Sequence, residues 1–171
     1  MQWIYRINCA LWAVMRKSDV TYAIYAYLFS FANFVRQTSL HMPSQKLEDL
    51  SYRIIGCAMR VHSELGAGLL ESAYEKCLML ELEFEGIQAE SQKLVSIQYR
   101  GTTIHRAYYI DILVEKEIIL EIKSVDRFVP EHKAQLLTYM RLHNSQLGFL
   151  INFGAPKLRD GIQRMIWTNN K

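Results

Sequence analysis

Residues Tyr108 to Val125 read YYIDILVEKEIILEIKSV, and how this stretch folds decides the rest. Two runs of Ile, Leu and Val flank the polar triplet Glu115-Lys116-Glu117, which reads as the turn of a β-hairpin. A turn centred on Lys116 pairs residues equally far from it, so Asp111 stands directly opposite Glu121. Side chains opposite each other on antiparallel strands share a face, with Cβ atoms about 5 Å apart. Lys123, two residues beyond Glu121, points the same way. A lone buried charge costs several kcal/mol, so charges in so apolar a stretch are paired, metal-bound or functional. Two converging carboxylates repel and acquire raised, coupled pKa values unless a cation lies between them, and a divalent metal would supply it. The plainer reading is a salt-bridged patch on the solvent face of the sheet.

Upstream of the hairpin, Leu47, Leu50, Ile54, Ala58 and Val61 repeat at helical spacing, and the helix should end at Gly66 and Gly68 of ELGAG. A second helix is expected over about 70–85, with Ala73, Cys77, Leu80 and Phe84 on its buried face and Gly86 as its stop. The period then changes to two. Strands are expected over 94–99, 104–114 and 118–125, joined by Arg100-Gly101-Thr102 and by the Glu-Lys-Glu turn. Pro130 opens a third helix with Leu136, Tyr139 and Met140 inward and Asn144 at its end. Leu147 to Phe153 is a short, wholly apolar run and therefore a buried strand, while the segment after Gly154 fits either a strand or a helix. Helix, helix, three strands, helix, strand describes a layered α/β domain with a mixed sheet, the last strand returning parallel to the one before the third helix.

The chain has 171 residues and a formal charge of +3. That length suits a single core without disulfide staples. Cys9, Cys57 and Cys77 form no C-x-x-C pair and lie near no metal-spaced histidines, which argues against a zinc site and a disulfide framework and for a reducing, cytoplasmic setting. Charge is uneven. Residues 46–121 carry eight Lys and Arg against thirteen acids, and residues 122–171 carry eight against three. A metal in the middle and a polyanion along the end would suit this asymmetry, as would ordinary solvated faces. Residues 1–45 form a separate N-terminal extension ahead of a domain over 46–171. Val20 to Val35 runs sixteen residues without a charge, short of the about 20 a membrane span needs. Three readings fit it: a membrane anchor through residues 20–35, an upstream extension, or the favoured one, a helix peripheral to function.

Asp111 followed by Glu121-Ile122-Lys123 resembles the Asp, then Glu-x-Lys, signature of the PD-(D/E)xK nuclease superfamily, with Ile110 where the literal pattern has Pro. Within GAGLLESAYEKCL, Gly68, Glu71 and Tyr74 are similar to the GxxExxY pattern, and VHSELGAGLLE, AQLLTYMRL and GFLINFG resemble further blocks of that GxxExxY family in the family's order. The resemblance spans roughly residues 46–167 and implies a restriction-endonuclease-like α/β fold with a central mixed sheet flanked by helices. It implies a metal site of Asp111, Glu121 and the Ile122 backbone carbonyl, with Glu71 as an acid from the first core helix and Lys123 beside the attacking water. Gln135 resembles a further catalytic residue, and Tyr74 and Tyr139 resemble substrate contacts. Mg²⁺ is the implied cofactor, Mn²⁺ its substitute, and nucleic acid, DNA ahead of RNA, the implied partner.

The residue types suit that chemistry. A carboxylate-held Mg²⁺ serves phosphodiester hydrolysis as Lewis acid and template, and Lys123 would orient or deprotonate the water. Each supporting residue also has a plain reading. Glu71 and Glu75 form a solvated helical face, Tyr74 and Tyr139 are core-edge aromatics, His62, His105, His132 and His143 are structural, and Cys57 and Cys77 are small core hydrophobes. The rival function is a catalytically silent nucleic-acid or protein binding module on the same fold, for which the balance of 16 Lys and Arg against 16 acids over residues 46–171 speaks.

Overall fold

In a computed structural model, the described residues are 44–168; the apolar run 20–35, Cys9 and the rest of the extension up to residue 43 lie outside them. Helix α1, Gln45–Leu65, starts at Ser44, whose hydroxyl accepts from the Leu47 amide at 3.3 Å. It ends where Gly66 turns with φ 67. Helix α2 is Glu71–Phe84. Strands β1, Ala89–Tyr99, and β2, Thr102–Val114, form a long hairpin, followed by β3, Ile118–Lys123. Helix α3, Pro130–His143, closes on Asn144 in the left-handed conformation, and β4 is Leu147–Asn152. The undecided segment contains both alternatives: a single turn of 3₁₀-helix at Leu158–Gly161, then β5, Ile162–Ile166.

Among the described residues the sheet is five-stranded in the order β1-β2-β3-β4-β5, antiparallel except for the β3–β4 pair joined through α3. Its two faces have separate cores. Ile112, Val114, Ile118, Leu120, Ile122, Phe149 and Ile151 pack with α1 and α2. Leu113, Ile119 and Leu150 pack with Leu136, Tyr139 and Met140 of α3. Strands β3 and β4 are covered on both sides, which is why they read as unbroken apolar runs.

The buried face of α2 differs from the one expected. Tyr74, Leu78 and Leu82 point inward, Ala73 and Cys77 are half-buried, and Leu80 and Phe84 are exposed, Phe84 at 82%. The stripe is turned by one residue because Tyr74 stacks on Phe153 at 4.5 Å between ring centres, and that contact sets the rotation of the helix on the sheet.

Asn152, 3% exposed, ties the end of β4 to the end of β3. Its Nδ2 donates to the Val125 carbonyl at 2.7 Å, while its Oδ1 accepts from the Val125 amide at 2.9 Å and from the Gly154 amide at 3.0 Å. A Cβ on Gly154 would lie 2.7 Å from the Val125 carbonyl oxygen, so only glycine fits beneath this staple. Asn152→Ala should cost about 2 to 3 kcal/mol in urea denaturation, because three half-buried backbone groups lose their partner.

Candidate active site

The turn has the expected register. Val114 pairs with Ile118, Leu113 with Ile119 and Ile112 with Leu120. At the next step the backbone ladder stops. The Asp111 carboxylate, rather than a main-chain carbonyl, accepts the Ile122 amide at 2.8 Å. There β2 leaves β3 and, among the described residues, continues with β1 alone, so Asp111, Glu121 and Lys123 stand at a fork between strands.

Glu121 is 1% exposed. Its Oε1 accepts from Lys123 Nζ at 2.6 Å, while its buried Oε2 has no hydrogen-bond partner among the described residues. Loss of water is the main reason its carboxyl is pushed up to about 7; the charge of Asp111 raises it further and Lys123 only partly opposes this. Asp111 is raised in the same way, first by burial, with the Ile122 amide and Lys123 acting against it and Glu71 with it. Burial alone would lower the Lys123 ammonium, but the hydrogen bond to Glu121 and the charges of Glu121, Asp111 and Glu71 outweigh it and leave it raised. Lys123 therefore holds its proton more firmly than an ordinary lysine.

Helix α2 brings Glu71 close enough for its charge to be felt at all three groups, although its Oε1 accepts from the Ser124 amide at 3.0 Å. It is not gathered with Asp111 and Glu121 into a preformed cage. Among the described residues no three His, Cys, Asp or Glu side chains are placed to hold one ion. Gln135 sits beside the site, but its amide donates to the Tyr139 hydroxyl at 2.9 Å. Tyr139, 6% exposed, lies under the charges of Glu121 and Asp111, with burial first among the causes that raise its hydroxyl.

Tyr74 lies elsewhere. It is fully buried, its hydroxyl donating to the Gly66 carbonyl at 2.6 Å and accepting from the Leu69 amide at 3.1 Å. It offers a substrate no surface; it shapes the loop that leads into Glu71. Tyr74→Phe should cost about 1 to 3 kcal/mol by thermal denaturation, since two backbone groups of a tight loop lose their partner. The histidines behave as structural groups: His62 Nε2 lies 2.9 Å from the Ala155 carbonyl and His132 Nδ1 accepts from the Val129 amide at 3.4 Å.

Two neighbours of Asp111 escape sequence reading. Gln92 lies between the Ser91–Ile112 and Lys93–Ile110 pairs and so faces Asp111, with a left-handed φ of 50. Its Nε2 donates to Glu75 Oε2 at 2.8 Å, and its side chain is within hydrogen-bonding reach of Asp111. Burial, then the charge of Asp111, raise the Glu75 carboxyl against the pull of Gln92. Glu75 thus belongs to the acidic cluster and not to a solvated face. The only available signal was its spacing of one helical turn from Glu71.

A model of the PD-(D/E)XK nuclease superfamily matches residues 48–165. Among solved structures, the crystal structure of SSO0001 is similar at 24% identity and a TM-score of 0.35, over 63% of this chain and 59% of that one. The chain thus spans less than two thirds of that structure's length. No curated protein matches the chain.

Proposed function

Because the chain belongs to the PD-(D/E)XK nuclease superfamily, we propose that it is a Mg²⁺-dependent nuclease, with Mn²⁺ as substitute, that hydrolyses phosphodiester bonds of nucleic acid and of DNA first. Within the superfamily we place it with the GxxExxY proteins, on Gly68, Glu71 and Tyr74. One observation carries the reading: a carboxylate removed from water, raised to about 7, with one buried oxygen that nothing among the described residues satisfies. A structural ion pair gains nothing from that oxygen, whereas a metal ligand needs it free.

The donor set fits a hard cation. Asp111 and Glu121 supply oxygen only, and Mg²⁺ commonly takes one or two carboxylates and keeps several waters, so a third acidic ligand is not required. Bound there, the ion would polarise a phosphoryl oxygen and lower the pKa of a water. Lys123, held protonated, is poorly suited to deprotonate that water. It fixes the Glu121 carboxylate and offers its remaining N–H groups to phosphate charge. Gln135 orients the Tyr139 hydroxyl at the edge of the site, and the Ser124 amide holds Glu71 by one of its two carboxylate oxygens.

The test is a cleavage panel of single- and double-stranded DNA and RNA with Mg²⁺ or Mn²⁺. Wild type should cut at least one substrate only when the metal is present, and Asp111→Asn should cut none. A wild type that binds but cleaves nothing under either metal would assign the chain to the silent binding modules.

A further inference from the structure

Beyond the fork, among the described residues, β2 from Thr102 to Asp111 pairs only with β1, so the two strands form a two-stranded ribbon. No acidic residue lies between Glu90 and Asp111, while Lys93, Arg100, His105 and Arg106 do. Lys93 is paired with Glu90 at 2.5 Å, but Arg100 and Arg106 form no ion pair among the described residues. Apolar side chains stand out along the same ribbon: Tyr99 is 59% exposed, Tyr109 48%, Ile104 44%, Leu94 43% and Tyr108 37%. Arg100 lies 5.6 Å from the centre of the Tyr99 ring.

The register orders these groups. Val95, Ile97 and Tyr99 alternate along β1 and pair with Tyr108, Ile104 and Thr102, the register shifting between Val95 and Ile97 where β2 bulges around Arg106, φ 55. Tyr99, Ile104 and Tyr108 therefore line one face from the tip toward the fork, and Tyr108 ends it against Tyr139, 5.5 Å away between ring centres. Tyr139 in turn lies beside Glu121 and Asp111. A track of cations and exposed tyrosines that leads to a phosphodiesterase site matches how proteins hold unpaired strands, in which charge follows the backbone and bases stack on aromatic rings.

We propose that the β1–β2 ribbon is the arm that binds single-stranded nucleic acid and feeds it toward the carboxylates. The proposal rests on the nuclease reading for where the strand goes, but not for whether it binds. The test is anisotropy of a fluorescein-labelled oligo(dT) of about 20 nucleotides in EDTA, which prevents cleavage, beside a duplex of equal length. Tyr99→Ala should weaken oligo(dT) binding at least about fivefold, the low end for one stacked base, with an unchanged melting temperature. Arg100→Gln with Arg106→Gln should reduce the slope of log affinity against log salt by about 1.4, as expected for two lost phosphate contacts on a single strand. Wild-type affinity and slope in both variants would overturn the proposal, as would a duplex bound more tightly than oligo(dT). If wild type binds through the ribbon yet cleaves nothing, the ribbon stands and the nuclease reading fails. If wild type cleaves and the ribbon variants bind normally, the ribbon fails and the nuclease reading stands.

Discussion

Lys123→Ala should cost the metal-free protein about 2 kcal/mol at pH 8 and little at pH 5, while lowering metal-dependent cleavage by at least roughly 10²-fold, the loss expected for one positioned donor to transition-state charge. Lys123 is 12% exposed and donates to a carboxylate that is 1% exposed. It is therefore not the solvated lysine whose removal leaves stability untouched. Above pH 7 its loss strands the Glu121 charge in a dry site, and breaking a buried pair by removing one partner is expensive. Below pH 6 Glu121 carries a proton, no charge is stranded, and the cost shrinks. Urea denaturation at the two pH values reads the difference. Equal destabilisation at both would mean that Lys123 acts through packing alone.

The second large effect is in the wild type. The folded Glu121 carboxyl titrates near 7 instead of the ordinary 4.5, so between those values the folded chain keeps a proton that the unfolded chain has released. Stability of the metal-free protein must then fall as pH rises through that window, by up to about 1.4 kcal/mol per pH unit and about 2 to 3 kcal/mol in all. Asp111 and Glu75, also raised, push in the same direction. Asp111→Asn keeps an oxygen for the Ile122 amide but removes the charge that faces Glu121. It should flatten the pH profile, stabilise the metal-free protein at pH 8 by about 1 kcal/mol, and abolish cleavage. A flat wild-type profile would show that the carboxylates are hydrated and ordinary.

The hairpin was legible because its turn is two-sided: apolar runs of matched length around Glu115-Lys116-Glu117 allow one register that buries both, and that register carries Asp111 and Glu121 to the step just past its last pair, Ile112 with Leu120. The helices were legible from their caps, Gly66 and Asn144, and from their periodicity. The rotation of α2 was not. Ala73-Cys77-Leu80-Phe84 and Tyr74-Leu78-Leu82 are both helical stripes, and only the distant Phe153 chooses between them. That also explains Tyr74, whose ring belongs to the core and whose hydroxyl belongs to a loop. The start of β1 at Ala89 was hidden as well, since Ala-Glu-Ser-Gln-Lys has no alternation and is extended only because β2 pairs with it. Gln92 sits in that stretch. Asn152 is hidden inside an apolar run, because a staple across 27 residues leaves no local pattern.

The fork between β2 and β3 is proposed to be a divalent-metal site. Calorimetric titration of the folded, metal-free chain with Mn²⁺ at pH 7, in two buffers of different ionisation heat, tests it directly. One ion per chain should bind with release of a fraction of a proton, because the raised Glu121 carboxyl must give up its proton to the metal, and Asp111→Asn should remove both the binding and the release. Binding without proton release, or binding indifferent to Asp111→Asn, would contradict a metal site at the fork.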